Sequence, residues 1–326
     1  MLQIVDDTLM ALQEPLPPKE ELQSFCELLF MIGVDAIELP ISIYRHMEEL
    51  PQGRYILNVD YEEEVYDNPG FYRYVCRQSY DAKNVIQELQ LNDIRELIKR
   101  KAFENCAELR IRGLDDLICH PYEKYMEEWQ CQLPGTILHF CPENTFGCAT
   151  ALAFHWAADY GGNITASFAG YRNNAATEEL IMALRLAIRH KPNRNLAVLP
   201  RLSDLFERIF HVTVSNRKPI IGKNIFKVEA GIHADGLYKN PATYEAYAPS
   251  CVGGQSELVI GKHSGIRAVK LKLEELKLPM ATDDTVDRIL HLVRLTCTRY
   301  RKSLSDQEFI LLVREVMRCE GNQVYC

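Results

Sequence analysis

The sequence predicts an α/β fold, a (β/α)8 TIM barrel followed by a small, mostly helical C-terminal subdomain. Short β-type runs alternate with longer amphipathic stretches about eight times before residue 200, as strand–helix units of a parallel sheet do. The length of 326 residues suits a barrel of roughly 250 residues plus an appendage. Beyond residue 200 the alternation gives way to a polar stretch punctuated by Pro and Gly, which ends in three helical patterns.

Taken in order, strands are expected at 3–7, 35–40, 55–60, 74–79, 107–113, 136–144 and 163–169, with a weaker eighth at 196–199. Between them, 19–33 places Leu22, Phe25, Leu28, Leu29 and Ile32 on one helical face. The stretch 81–101 does the same with Val85, Ile86, Leu89, Ile94, Leu97 and Ile98, and 178–190 is a third such helix. Eight repeats fit a closed barrel better than an open sheet. After a helix at 202–210, the segment 216–265 is irregular, and helices follow at 266–276, 284–300 and 305–319. The expected division is a barrel over 1–215 and a linker or dimerisation subdomain over 216–326.

Composition excludes several classes. A formal net charge of -8 repels phosphate backbones and argues against a nucleic-acid partner. No apolar run reaches the roughly 18 residues of a membrane span. The first residues, MLQIVDDTLM, carry acids where a signal peptide carries Lys or Arg, so a cytoplasmic protein is expected. The 11 cysteines include no CxxC pair, which argues against a zinc ribbon, and most are expected to be small buried apolar residues. The pair Cys119–His120 has no matching second pair and carries no site.

The most specific stretch is 218–265, KPIIGKNIFKVEAGIHADGLYKNPATYEAYAPSCVGGQSELVIGKHSG. Gly222, Asn224, Phe226, Glu229, Gly231, His233, Asp235, Gly236, Pro241, Tyr244, Gly253, Gly261, Lys262, Ser264 and Gly265 follow one another in a pattern that resembles the subdomain after the barrel in homocitrate, isopropylmalate and related synthases. IVDDTL, GVDAIELP and NNAATEELIMAL resemble further segments of the same family, so the resemblance spans nearly the whole chain. It implies condensation of an acyl-CoA such as acetyl-CoA with a 2-oxo acid. A divalent metal (Mg, Mn or Zn) would polarise the keto oxygen. An Arg would stabilise the oxyanion, and a base of tuned pKa would move the methyl proton.

The motifs depart from the family where that chemistry resides. The first-strand signature D-T-T-L-R-D-G becomes Asp6, Asp7, Thr8, Leu9, Met10, Ala11, Leu12. Met10 thus stands in place of the catalytic Arg, and Ala11 in place of a metal-binding Asp. In the H-x-H signature, Cys141 and Glu143 replace the two histidines. Asn174 is the match for a later Asn ligand, and Val228 replaces another His. Loss in both metal-binding segments points to relaxed selection on the original chemistry. A companion subunit paired with an intact paralogue is therefore expected, as in the split homocitrate synthases of some nitrogen-fixing anaerobes. An autonomous acyltransferase or lyase with a remodelled metal site and a 2-oxo acid sensor without turnover are the alternatives.

Several residues carry open readings. His139, Cys141 and Glu143 alternate along one strand and face one way. They are either a remodelled metal site, with Cys141, Glu143 and Asn174 as ligands, or a buried strand with polar tips. Asp6 and Asp7 either add a carboxylate or end the first strand. Arg77 on the expected fourth strand, Arg110 and Arg112 on the fifth and Thr165 on the seventh are substrate-binding candidates, and the arginines read equally as ordinary ion pairs. The resemblance implies catalytic roles for Glu229, His233 and Tyr244, the last two reaching into the site of a partner subunit in a homodimer or heterodimer. Lys262 and His263 read as a structural turn.

Overall fold

The computed structural model describes residues 2–76, 82, 84–96, 106–133, 135–231, 233, 236, 239–240, 243–279 and 281–323, with side chains to 318. It divides into two compact units, 1–222 and 223–326.

The first unit is a closed barrel of eight parallel strands paired in chain order. The strands are β1 (Ile4–Asp6), β2 (Ala36–Pro40), β3 (Tyr55–Val59), β4 (Arg73–Cys76), β5 (Val85–Leu91), β6 (Glu108–Gly113), β7 (Ile137–Pro142) and β8 (Asn163–Ala166). Closure comes from β1 against β8, with Ile4 opposite Ile164 and Asp6 opposite Ala166. Among the described residues, the helices of this unit are α1 (Lys19–Ile32), α2 (Ile41–Met47), α3 (Glu62–Asp67), α4 (Tyr122–Gln132), α5 (Ala149–Tyr160), α6 (Thr177–Ile188) and α7 (Leu199–Phe210).

The amphipathic stripe of α1 buries Leu22, Phe25, Leu28, Leu29 and Ile32, and the helix ends at Gly33, which takes the left-handed φ of 114°. Helices α4 and α5 clamp β7 through an aromatic cluster. Trp129 lies 5.5 Å from Phe140 and 5.7 Å from Trp156, centroid to centroid.

Two expected elements differ. The helix expected at 81–101 is in part strand β5, with burial alternating from Gln87 to Leu91. Val85, Ile86 and Leu89 satisfy helical spacing, yet Val85, Leu89 and Leu91 also sit at even spacing, and pairing with β4 and β6 selects the second pattern. Residues 97 and 98 of the same stretch lie outside the described residues. The eighth strand expected at 196–199 is instead a short 3-10 turn, Leu196–Val198, leading into α7. With β5 inserted, the strands expected as fifth, sixth and seventh are β6, β7 and β8.

Among its described residues the second unit holds a two-stranded parallel sheet, β9 (Lys227–Val228) with β10 (Glu257–Leu258), and three long helices. These are α8 (Ile266–Glu275), α9 (Asp283–Tyr300) and α10 (Asp306–Gln323). Their shared core includes Val269, Leu273, Ile289, Val293, Phe309 and Val313. No helix among the described residues is long and apolar enough to cross a membrane. The cysteines are less buried than expected, since Cys119, Cys131 and Cys251 are exposed.

Gly113 ends β6 at a φ of +100°, where an added Cβ would overlap the Leu91 carbonyl oxygen. Gly113→Ala should therefore lower the unfolding free energy by about 2 kcal/mol or more, read by urea titration against wild type.

A candidate site at the mouth of the barrel

Strand side chains alternate between the barrel interior and the surrounding helices. One interior layer is apolar and made of Val5, Ala36, Ile56, Val75 and Ile86. Toward the C-terminal ends of the strands the interior turns polar. There a cavity of about 410 Å³ is lined by Asp7, Met10, Ala11, Glu38, Asn58, Glu88, Arg112, Glu143, Ser167, Tyr171, Arg172 and Asn174, among others. This is the end of a barrel where active sites lie.

A chain of alternating charges runs beneath and along this cavity. Arg110, fully buried, places Nη1 2.6 Å from Glu38 Oε2 and 3.2 Å from Glu88 Oε2. Arg112 Nε lies 3.2 Å from Glu88 Oε2, and its Nη2 lies 3.0 Å from Asp7 Oδ2. The other oxygen of Asp7 accepts from Ser167 Oγ at 2.5 Å and from Asn174 Nδ2 at 3.4 Å. Burial pushes Glu88 up, but the two guanidinium groups outweigh it and hold the carboxyl below its ordinary range. Burial outweighs Arg110 at Glu38, whose pKa is raised.

The loop after β8 completes the mouth. It includes Ala169, Gly170, Arg172 and Asn173 in the left-handed region. The Glu178 carboxylate braces it by accepting from Ala169 N at 2.8 Å, and Arg172 Nη2 donates to Ala11 O at 2.8 Å. Asn174 pairs through its backbone with Glu143.

Behind the mouth, Asp6 points away from Asp7 and is fully buried. It accepts from Thr8 N at 3.0 Å and from Thr177 Oγ1 at 2.6 Å, tying β1 to α6. Burial pushes its pKa up to about 7.

The expected site residues separate. Arg112, Glu143 and Asn174 line the cavity, whereas Arg110 and Thr165 do not and are 0% exposed. Arg110 is therefore an interior ion pair rather than a substrate contact, and Thr165 lies too deep for one. His139 stands at the opposite end of β7, with Nε2 3.4 Å from Asn163 Nδ2. Burial and the neighbouring Arg110 and Arg73 push its pKa down to about 3, so it is neutral. Four residue steps of about 3.3 Å each separate His139 from Glu143, which follows β7, too far for a shared ligand. Arg77 lies outside the described residues.

In the second unit His233 and Tyr244 are exposed, with rings 5.3 Å apart. Glu229 accepts from His263 N at 2.6 Å and packs on Gly261, so its carboxylate is engaged in the GKHSG turn. Sequence reasoning missed Glu38, Glu88, Ser167, Tyr171 and Arg172. The signal was the run ELRIRG, whose Arg110 and Arg112 face the interior and require carboxylates there.

A divalent metal does not fit these donors. Cys141 is fully buried and does not line the cavity. Asn174 turns its donor nitrogen to Asp7 and Ser167. Among the described residues, no group of three His, Cys, Asp or Glu side chains is placed to hold an ion.

Two expectations follow. Arg110→Met strands the buried Glu38 carboxylate and takes one of two guanidinium partners from Glu88, and should cost about 3–5 kcal/mol in unfolding free energy, part of which Glu38→Gln should restore in the double variant. Asp6 keeps a proton in the folded state that the unfolded chain releases above its ordinary 3.8. Its contribution is therefore full below about pH 4 and is lost as pH rises to about 7. Urea titrations stepped across that window should show wild type losing up to about 4 kcal/mol relative to Asp6→Asn.

The family model "Homocitrate synthase post-HMGL domain-like" matches residues 220–300. The "Homocitrate synthase, omega subunit" of Clostridium pasteurianum is 28% identical over 320 residues, covering 91% of this chain and 90% of that protein. "Homocitrate synthase AksA" of Methanothermobacter thermautotrophicus is 39% identical over 176 residues, covering 53% of this chain and 44% of AksA. In fold, the HMG-CoA lyase of Bacillus subtilis superposes with a TM-score of 0.51 at 16% identity, over 65% of this chain and 95% of the lyase. The chain is thus similar to homocitrate and isopropylmalate synthases, along 91% of its length in the case of the omega subunit.

Proposed function

We propose that this chain is a companion subunit of a homocitrate synthase-like enzyme and does little condensation on its own. The observation that carries this reading is the mouth of the barrel, where Met10 and Ala11 line the cavity at the family's Arg and Asp positions. Condensing an acetyl thioester with a 2-oxo acid builds negative charge on the keto oxygen. A guanidinium fixed beside that oxygen stabilises the charge, and Met10 has none to give. Loss of one such group typically slows the reaction roughly 100- to 1000-fold. The similarity to an omega subunit along 91% of the chain supports a role within a multi-subunit enzyme.

What the companion contributes is the exposed His233–Tyr244 pair in the second unit. Reaching the barrel of an intact paralogue, His233 would move a proton on the acyl-CoA or the 2-oxo acid. The retained subdomain then has a role although the local mouth does not turn over.

The test is a thiol-release assay with acetyl-CoA, Mg or Mn and a panel of 2-oxo acids, run alone and with the intact paralogue. The expected result is co-purification, silence alone, and turnover in the mixture above that of the paralogue by itself. His233→Ala should lower that gain by about 100-fold without ending co-purification. Turnover by the chain alone would overturn the reading in favour of an autonomous enzyme. Failure to associate would overturn it in favour of a sensor.

A further inference from the structure

We infer that in this barrel a fixed guanidinium, that of Arg112, has taken the place of the divalent cation, so that the mouth is a metal-independent site. The inference goes beyond the companion reading and does not rest on it.

Arg112 sits opposite Cys141 in the β6–β7 register, so its side chain rises beside one of the two positions where the family carries a metal-binding His. Its Nη2 is 3.0 Å from Asp7 Oδ2, while Asn174, the match for a family ligand, gives its Nδ2 to the other oxygen of Asp7. Two of the expected ligand positions thus converge on an existing carboxylate–guanidinium pair. A second cation there would be repelled by Arg112, and it would meet an amide nitrogen at Asn174.

The acids are already matched as well. Asp7, Glu38 and Glu88 are each within ion-pair distance of Arg110 or Arg112. Once Arg112 loses its charge, Asp7 and Glu88 face the cavity without that partner, joined at its rim by Glu143. Oxygen donors of that kind suit Mg or Mn.

The experiment uses the full chain. Mn2+ binding is followed by the loss of the free-ion electron paramagnetic resonance signal, and thermal unfolding is recorded with EDTA and with Mn2+. Wild type should leave the signal unchanged and unfold at the same temperature in both. Arg112→Gln should bind Mn2+ about tenfold or more tightly than wild type, and adding Asp7→Asn should remove the gain. Arg112→Lys, which keeps the charge, should behave as wild type.

Stoichiometric Mn2+ on wild type with a midpoint that drops in EDTA would overturn the inference and leave the companion reading standing. A folded Arg112→Gln that gains no affinity would overturn it too. If that variant does not fold, the wild-type and Arg112→Lys measurements decide.

Discussion

Most of what distinguishes this barrel follows from the need to neutralise charge in its interior. A closed sheet of eight short strands must fill its centre, and apolar side chains usually do so in layers. Here one layer is apolar and the next is ionic, running Glu38, Arg110, Glu88, Arg112, Asp7 and on to Ser167. Those residues come from β2, β5, β6 and the ends of β1 and β8, so one connected network links strands far apart in sequence. A buried ion pair adds little over a well-packed apolar pair, but losing one member leaves an uncompensated charge. Each residue of the chain is thus held in place by its neighbours, and the shape of the mouth is fixed with them.

The loop after β8 is arranged around the same constraint. Asn174 must reach Asp7 and Ser167, and the preceding segment gets it there through several left-handed residues. Such conformations are unfavourable for residues with a Cβ and persist where surrounding contacts enforce them. Glu178, bonded to Ala169 N and near Lys218, is one such contact, and Asp6 bonded to Thr177 is another. Both carboxyls are pushed up to about 7 by burial, the energetic cost of anchoring the loop from inside the fold.

The fold was legible where patterns were local. The stripe of α1, the first strands and the C-terminal helices follow from spacing alone. Strand β5 was not, because Val85 and Leu89 fit both a helical and an extended period, and only the neighbouring strands distinguish them. The site was legible in part. Motif positions marked Met10, Ala11, Cys141 and Glu143, and the alternation in ELRIRG marked Arg112. Glu38 and Glu88 lie in apolar strands, where a lone acid has no visible partner until the barrel closes. Arg110 and Arg112 look alike in sequence, and two residues of depth make one interior and the other accessible.

That difference of depth also bears on how such a chain can change. Because each member of the ionic layer is costly to remove alone, substitutions there must come in matched sets. Placing histidines at positions 141 and 143 would bring a second cation against Arg112, and removing Arg112 first would leave Asp7 and Glu88 without that partner. Exchanging this set of side chains for metal donors therefore passes through less stable intermediates. The layer works as a ratchet, since once its charges are matched no single substitution leaves it neutral.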